Sequence, residues 1–390
     1  MKALIALMIL PLLAFWLWWP LQGQSRGARK RRVLASLGVV ALLPALMAVW
    51  RLDLVGYAVL SWLQVLAGGL LVLGMLLLVF VLLRDAGWLL HTVLERLLRR
   101  EPGIGLRRWH APWLTQAAVV VAIGLSGLGL YNGLKVPVVV EQELALEGLP
   151  QELDGLRIAV LTDLHLTPAK GVARTEALVQ RTLDAGADLI VLPGDMVDGP
   201  VGVSGPVVAP LARLQAPLGV WLAPGNHEIY NDYAAWMAFF AEHGLPVLEN
   251  RAVRIEHNGA AFALSGLGDL AARRPSARAA GIPAPDLPAT LAQLPADAAV
   301  HLMLVHQPKL AREVAASGAV DLQISGHTHG GHIVGMDRWL VAPANHGFVR
   351  GRYDLDGMTL FISAGAGQWD GFTARLGVRS RIDVLTLRRR

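Results

Sequence analysis

Four long apolar runs occupy the first third of the chain, and they constrain its fold more than any other feature. They cover residues 3–21, 33–50, 57–83 and 111–131. A helix that crosses the roughly 30 Å hydrocarbon core of a bilayer needs about 20 apolar residues. We therefore predict that residues 1–131 form an all-α transmembrane anchor region of about four helices.

The first run permits two interpretations. Lys2 precedes its apolar core, as in a cleaved signal peptide. However, no small-residue cleavage pattern follows cleanly, and Trp16, Trp18 and Trp19 lie at its far end like an interfacial aromatic belt. We interpret the run as an uncleaved span and keep the signal peptide as the alternative.

Two basic clusters indicate the membrane topology. One lies within residues 26–32, and the other is the amphipathic segment 84–110, which has leucines near helical spacing. The second predicts a helix on the inner membrane surface, with an ordinary solvated charged face as the alternative. Lysine and arginine are retained on the cytoplasmic side. This places the N-terminus and everything after Tyr131 outside.

Composition narrows the remaining choices. Hydrophobic residues make up 54% of the chain and charged residues 17%, which excludes a wholly soluble protein. The net charge is +5, but the basic residues cluster beside apolar runs, so we expect no nucleic-acid partner. The chain has no cysteine. A metal site would therefore use His, Asp, Glu or Asn.

Beyond the apolar runs, the pattern changes to that of a water-exposed domain. Residues 132–152 resemble an extended tether, and residues 153–390 alternate apolar strands with helical segments. Such alternation predicts an α/β domain whose parallel sheet carries its site at the carboxyl ends of the strands. The Ala/Pro/Arg-rich segment 273–288 predicts a mobile surface loop.

Five short motifs stand at the ends of predicted strands. They are Asp163-Leu164-His165, Gly194-Asp195-Met196-Val197-Asp198, Gly225-Asn226-His227-Glu228, Val305-His306-Gln307 and Gly326-His327-Thr328-His329-Gly330-Gly331. Their mixture of carboxylate, amide and imidazole donors suits manganese, iron, zinc or cobalt better than calcium or magnesium. We count seven candidate donors, more than one tetrahedral ion needs: Asp163, His165, Asp195, Asn226, His306, His327 and His329. Two ions about 3.5–4 Å apart that share a carboxylate would use them all.

In this order, the motifs resemble the calcineurin-like metallophosphoesterase superfamily, and the Gly-His-Thr-His-Gly-Gly form is similar to its membrane-linked bacterial branch. The resemblance covers residues 156–387. It implies a four-layer α/β/β/α sandwich with two divalent ions, for which we expect manganese, iron or zinc. It further implies the following ligands: Asp163, His165 and His329 for the first ion, Asn226, His306 and His327 for the second, and Asp195 as a bridge.

The same resemblance assigns two catalytic residues, His227 and the bridging Asp195. His227 would hydrogen-bond a phosphate oxygen or protonate the leaving group. Asp198 would accept a hydrogen bond from a ligand histidine or cap a turn. Glu228 would orient His227 or cap a helix, and Arg375 would bind phosphate or remain a surface charge.

The expected function is metal-dependent hydrolysis of a phosphodiester or phosphomonoester. The short tether keeps lipid and cell-envelope phosphoesters within reach, so a lipid-linked substrate is our expectation. The expected location is a bacterial inner (cytoplasmic) membrane, crossed several times, with the catalytic domain on the extracytoplasmic side. Two alternatives remain, an idle membrane sensor or scaffold and a nucleic-acid phosphodiesterase. The sequence does not predict the oligomeric state.

Overall fold

The computed structural model describes residues 2–98 and 103–390, with side chains from residue 9 onward. Contacts divide the chain into two compact units. The first comprises residues 1–130 with 370–374, and the second comprises residues 131–369 with 375–390. Each unit forms its own architecture.

The first unit is helical. Its helices are α1 (Lys2–Trp18), α2 (Arg26–Arg51), α3 (Tyr57–Leu97), α4 (Ile104–Trp109) and α5 (Pro112–Leu134). Three described stretches are long and apolar enough to cross a membrane, namely Arg26–Arg51, Tyr57–Leu97 and Ile104–Leu134. Helix α1 has 17 residues, which at 1.5 Å per residue gives roughly 25 Å. Its role as a fourth span stays a prediction.

Helix α3 does not end at Leu83, where we predicted the third span to end. It continues to Leu97 and takes in much of the predicted basic segment 84–110; residues 99–102 of that segment lie outside the described residues. The first charged residue of this extension, Arg84, is buried and has polar partners. The Arg84 guanidinium donates to the carbonyl oxygens of Trp16 and Leu17, at 3.2 Å each, and pairs with Asp85 at 2.8 Å. These contacts satisfy carbonyls that the end of α1 leaves without helical partners.

The second unit contains two sheets. Their strands are β1 (Val138–Leu146), β2 (Arg157–Val160), β3 (Leu189–Pro193), β4 (Val220–Ala223), β5 (Arg251–His257), β6 (Ala260–Gly266), β7 (His301–Leu304), β8 (Leu322–Ser325), β9 (Gly351–Leu355), β10 (Met358–Ile362) and β11 (Arg381–Arg389). The first sheet has the order β1-β11-β2-β3-β4, and the second has the order β5-β6-β7-β8-β10-β9. Strands β2, β3 and β4 run parallel, as do β6, β7 and β8. The predicted parallel arrangement is confirmed.

Helices flank the two sheets. They are α6 (Val172–Asp184), α7 (Val201–Val208), α8 (Asn226–Tyr230), α9 (Tyr233–Glu242), α10 (Pro275–Ala279), α11 (Leu287–Leu291), α12 (Ala311–Ala316) and α13 (Ala342–Ala344). One apolar core joins the first sheet to residues of α6, α7 and α9, and another joins the second sheet to residues of α11 and α12. A third core lies between the sheets. The four-layer α/β/β/α prediction is confirmed. The segment 273–288 contains α10 and is not a featureless loop.

The predicted tether is a strand of the first sheet, so this prediction needs correction. Strand β1 pairs in parallel with β11 over nine residues, from Val138 opposite Arg381 to Leu146 opposite Arg389. Leu144 and Leu146 are buried in the core between the sheets. The extended character of the segment was predicted correctly. Its backbone is nevertheless hydrogen-bonded in the sheet, because β11 returns beside it from the far end of the chain.

Phe262 tests the core between the sheets. Its side chain is fully buried in that core, so Phe262→Ala should lower the free energy of unfolding of the second unit by about 3–5 kcal/mol. Val139→Ala, at a position 37% exposed on β1, should cost no more than about 1 kcal/mol. Urea unfolding followed by circular dichroism measures both. Equal losses would contradict the assigned core.

Candidate metal centre

The carboxyl ends of the strands bring all seven predicted ligands together. Asp163 and His165 follow β2, Asp195 follows β3, Asn226 follows β4, His306 follows β7, and His327 and His329 follow β8. Six of the seven are buried, and His327 is half-buried. Parallel strands end at one edge of a sheet, and both sheets turn this edge toward the same site. The fold thus gathers ligands from sites 166 residues apart, from Asp163 to His329.

The donor atoms form two clusters that a third group links. Asp163, His165 and His329 form one compact cluster, and Asp195, His306 and His327 form another; His165, Asp195 and His227 form the group that links them. The Asp195 carboxylate lies 3.0 Å from His306 Nε2 and 3.7 Å from His165 Nε2. Asp195 therefore stands between the clusters, as a bridging ligand would.

The hydrogen bonds of the histidines fit a metal. His306 Nδ1 lies 2.9 Å from the Pro193 carbonyl oxygen, which requires the proton on Nδ1. Its Nε2 faces the Asp195 carboxylate at 3.0 Å, and this contact needs either a proton on Nε2 or a metal cation bound to both groups. Asn226 Oδ1 is also buried and has no hydrogen-bond partner among the described residues. Both observations indicate that these donors suit divalent cations.

Five of the seven ligands have a left-handed backbone. Their φ angles are 57° for Asp163, 45° for His165, 57° for Asp195, 70° for His327 and 50° for His329. This conformation costs a residue with a side chain about 1–2 kcal/mol. Such strain clusters at functional sites, where the surrounding structure enforces it.

The contacts that enforce this strain are visible around Asp163. Its carboxylate accepts hydrogen bonds from the His327 amide at 2.9 and 3.1 Å. Gly326 approaches so closely that a Cβ there would lie 2.2 Å from Thr162 Oγ1 and 2.6 Å from Asp163 Oδ2. A glycine is needed at this position for the β2 and β8 turns to meet.

Glu228 joins two other motifs. Its buried carboxylate accepts hydrogen bonds from the amides of Gly225 at 2.7 Å, Met196 at 2.7 Å and Asp195 at 3.1 Å. The first of these bonds caps the start of α8, as one of our two interpretations held, and the others hold the Asp195 turn. Burial and the Asp195 charge raise the pKa of Glu228 to about 7. These three bonds position the backbone, and none of them reaches the His227 ring.

Asp198 contacts two histidines. It lies 3.1 Å from Nδ1 of His165 and makes a short hydrogen bond with Nδ1 of His227. Burial alone would raise the pKa of Asp198, but His227 and His165 outweigh it and hold that pKa well below its usual value. Burial lowers the pKa of His227, yet Asp198 and Asp195 raise it overall to about 9. The structure thus places Asp198 beside a ligand histidine, the first of its two interpretations. The contact with His227 was not anticipated.

Arg375 is fully buried and contacts the predicted ligand His329, so the surface-charge interpretation is wrong, whereas phosphate binding stays a prediction. Its guanidinium donates to the carbonyl oxygens of His329 at 2.6 Å and Ala364 at 2.7 Å. It also lies 3.2 Å from His329 Nδ1. Arg375 therefore holds the turn that carries His329.

Two aromatic residues beside His227 were missed by the sequence analysis. The ring centroids of Tyr230 and Trp369 lie 5.4 and 6.2 Å from that of His227. Both side chains are almost half exposed, so they form walls of the opening to the site. Tyr230 stands three residues after His227 in α8, and this helical spacing could have predicted their contact. Trp369 comes from a distant loop, and no local pattern predicts the approach.

The strain at His327 can be measured apart from its metal ligation. His327→Ala and His327→Gly both remove the imidazole, but only glycine adopts a φ of 70° without cost. In a metal chelator, the glycine variant should exceed the alanine variant in free energy of unfolding by about 1–2 kcal/mol. Chemical unfolding of both proteins measures the difference.

The matched pair Glu256→Ala and Glu256→Gly supplies the control. Glu256 lies in β5, where glycine should be less stable than alanine by roughly 0.5–1 kcal/mol. The same order of stability at both positions would contradict the strained backbone at His327.

The chain is similar to known metallophosphoesterases. The sequence profile of the calcineurin-like phosphoesterase family matches residues 156–331. A transmembrane protein with metallophosphoesterase domain from Bos taurus is 32% identical over 281 residues, covering 69% of this chain and 61% of that protein. Its Danio rerio counterpart is 29% identical over 280 residues, covering 70% and 62%. An uncharacterized metallophosphoesterase of Campylobacter jejuni is 30% identical over 272 residues, covering 69% and 68%.

The matched part spans about three fifths of the length of the two vertebrate relatives. The segment that matches the family profile, residues 156–331, includes all five motifs and both clusters of donors. The chain therefore belongs to the calcineurin-like metallophosphoesterase family.

Proposed function

We propose that the second unit is a phosphoesterase that uses two divalent metal ions to hydrolyse a phosphodiester or phosphomonoester. The observation that carries this proposal is the position of Asp195 between two buried clusters of donors. The first ion would be held by Asp163, His165 and His329. The second would be held by Asn226, His306 and His327, with Asp195 shared by both.

Two bound cations would stabilise the charge that develops on the phosphate oxygens and make a water molecule acidic enough to attack. The mixed nitrogen and oxygen donors favour manganese, iron or zinc. The neutral Asn226 amide leaves the site more positive than a carboxylate would, which favours an anionic phosphate.

His227 is proposed to protonate the leaving oxygen. Its Nδ1 contacts the Asp198 carboxylate, and the charges of Asp198 and Asp195 raise the pKa of His227, which favours the protonated imidazolium. A group in this state is a general acid. The His227 amide donates to the Asp195 carboxylate at 2.8 Å, so the acid and the bridging ligand are held together.

A lipid-linked or cell-envelope phosphoester is the proposed substrate class. Beyond His227, a leaving group would pass the exposed faces of Tyr230 and Trp369, which suits an apolar or aromatic group. The same chain carries three apolar helices long enough to cross a membrane. We propose a multi-pass protein of a bacterial inner membrane with the second unit on the extracytoplasmic side, supported by the basic clusters at residues 26–32 and 84–110.

The idle-scaffold alternative has less support. A scaffold need not retain ligands, yet all seven are present at the strand ends and six of them lie in compact groups of donors. No observation favours a nucleic-acid substrate, and we keep the expectation that nucleic acid is not a partner.

Removing the bridging carboxylate tests the proposal. Asp195→Ala should lower the manganese-dependent hydrolysis of a generic aryl phosphodiester by at least about 100-fold, since one lost electrostatic contact to a transition state already costs that much. The control is Asp354→Ala on β9, whose side chain is 70% exposed, and it should keep its activity. Full activity in purified Asp195→Ala would overturn the site assignment.

A further inference from the structure

An exposed apolar patch follows the metal-ligand turn directly. Val334, Trp339 and Leu340 are 63%, 76% and 58% exposed, and the rest of the described chain leaves them uncovered. They lie within ten residues of Gly330 and Gly331, the glycines that follow His329. We call these three side chains the apolar patch.

The segment that carries the patch is fixed to the site. The Arg350 guanidinium donates to the Gly330 carbonyl oxygen and pairs with the Asp337 carboxylate at 2.9 Å. The Val334 amide donates to the Leu376 carbonyl oxygen at 3.0 Å. A Cβ at Gly331 would lie 2.5 Å from the Asp337 Cβ, so the two backbones touch. These contacts therefore hold the patch beside the metal-ligand turn.

We propose that the apolar patch inserts into a phospholipid surface and brings the catalytic site to phosphoesters that reside in that surface. Tryptophan and leucine beside a basic residue are typical of interfacial contacts, and the exposed Arg338 precedes Trp339. A guanidinium at this position complements anionic headgroups. The substrate part of this inference rests on the proposed function, whereas the membrane contact does not.

The chain's own connectivity favours lipid as the occupant. Strand β1 begins at Val138, four residues after α5 ends at Leu134. Four extended residues reach at most about 14 Å, so β1 begins close to the membrane that α5 is proposed to cross. A second protein is less well suited, because three side chains fall far short of the roughly 800 Å² per partner that a stable interface buries.

Spin labelling of the full chain in lipid nanodiscs tests the membrane contact. The chain has no cysteine, so Leu340→Cys with a nitroxide places one label in the patch. In nanodiscs of phosphatidylcholine and phosphatidylglycerol, this label should collide more with oxygen, which dissolves in lipid, than with a water-soluble nickel complex. A label at Glu256→Cys, an exposed position on β5, should show the reverse. Equal, water-like accessibility at both positions would overturn the proposal.

A second copy of the chain covering the patch would also shield the label. In that case, labels at position 340 of two chains would show a dipolar interaction, and protein association would replace lipid as the occupant. The proposal requires shielding without such an interaction.

Two substrates that share the 4-nitrophenyl leaving group test whether the patch speeds hydrolysis at a lipid surface. The double variant Trp339→Ser and Leu340→Ser should cleave a 4-nitrophenyl phosphodiester with a hexadecyl chain, held in phosphatidylcholine vesicles, at least about 10-fold more slowly than the wild type, the equivalent of losing one or two buried apolar groups. Hydrolysis of water-soluble 4-nitrophenyl methyl phosphate should not change. Equal losses on both substrates would mean that the patch only supports the fold. If the wild type cleaves neither, the proposed function fails, and the spin labels alone decide the membrane contact.

Discussion

The convergence of strand ends at left-handed turns is the constraint on which the candidate site depends. Asp163, Asp195 and His327 hold backbone angles that glycine would adopt more easily. The surrounding structure enforces these angles through hydrogen bonds such as the one that the Asp195 amide donates to the Glu228 carboxylate. The apolar core between the sheets stabilises the frame. We infer that these left-handed residues lower the stability of the fold and that, in return, donors from both sheets meet.

Electrostatics around this centre are organised by a few buried charges. Asp198 contacts both His165, a predicted metal ligand, and His227, the proposed acid. Arg375 supplies buried positive charge behind His329 and directs its donors to backbone carbonyls. The family's motifs contain the ligands, whereas the residues that orient them are partly outside those motifs.

The sequence predicted the features that depend on short spacing. The alternation of apolar strands with helical segments predicted the α/β class, and the five motifs contained every donor of both clusters. What it missed depends on distant contacts. The sheet position of β1 requires β11, more than 240 residues later. The burial of Arg375 and the approach of Trp369 to His227 require the closed fold. Helix α3 continues past Leu83, where Arg84 contacts carbonyl oxygens of α1, and local hydropathy does not reveal such contacts.

The metal content of the wild-type protein tests the central claim most directly. After reconstitution with manganese and removal of free ions, elemental analysis of the full chain should give two manganese ions per chain. Electron paramagnetic resonance should show a magnetically coupled pair, because a shared Asp195 carboxylate would hold the ions roughly 3.5–4 Å apart. A single uncoupled ion per chain, or none, would contradict a dinuclear centre.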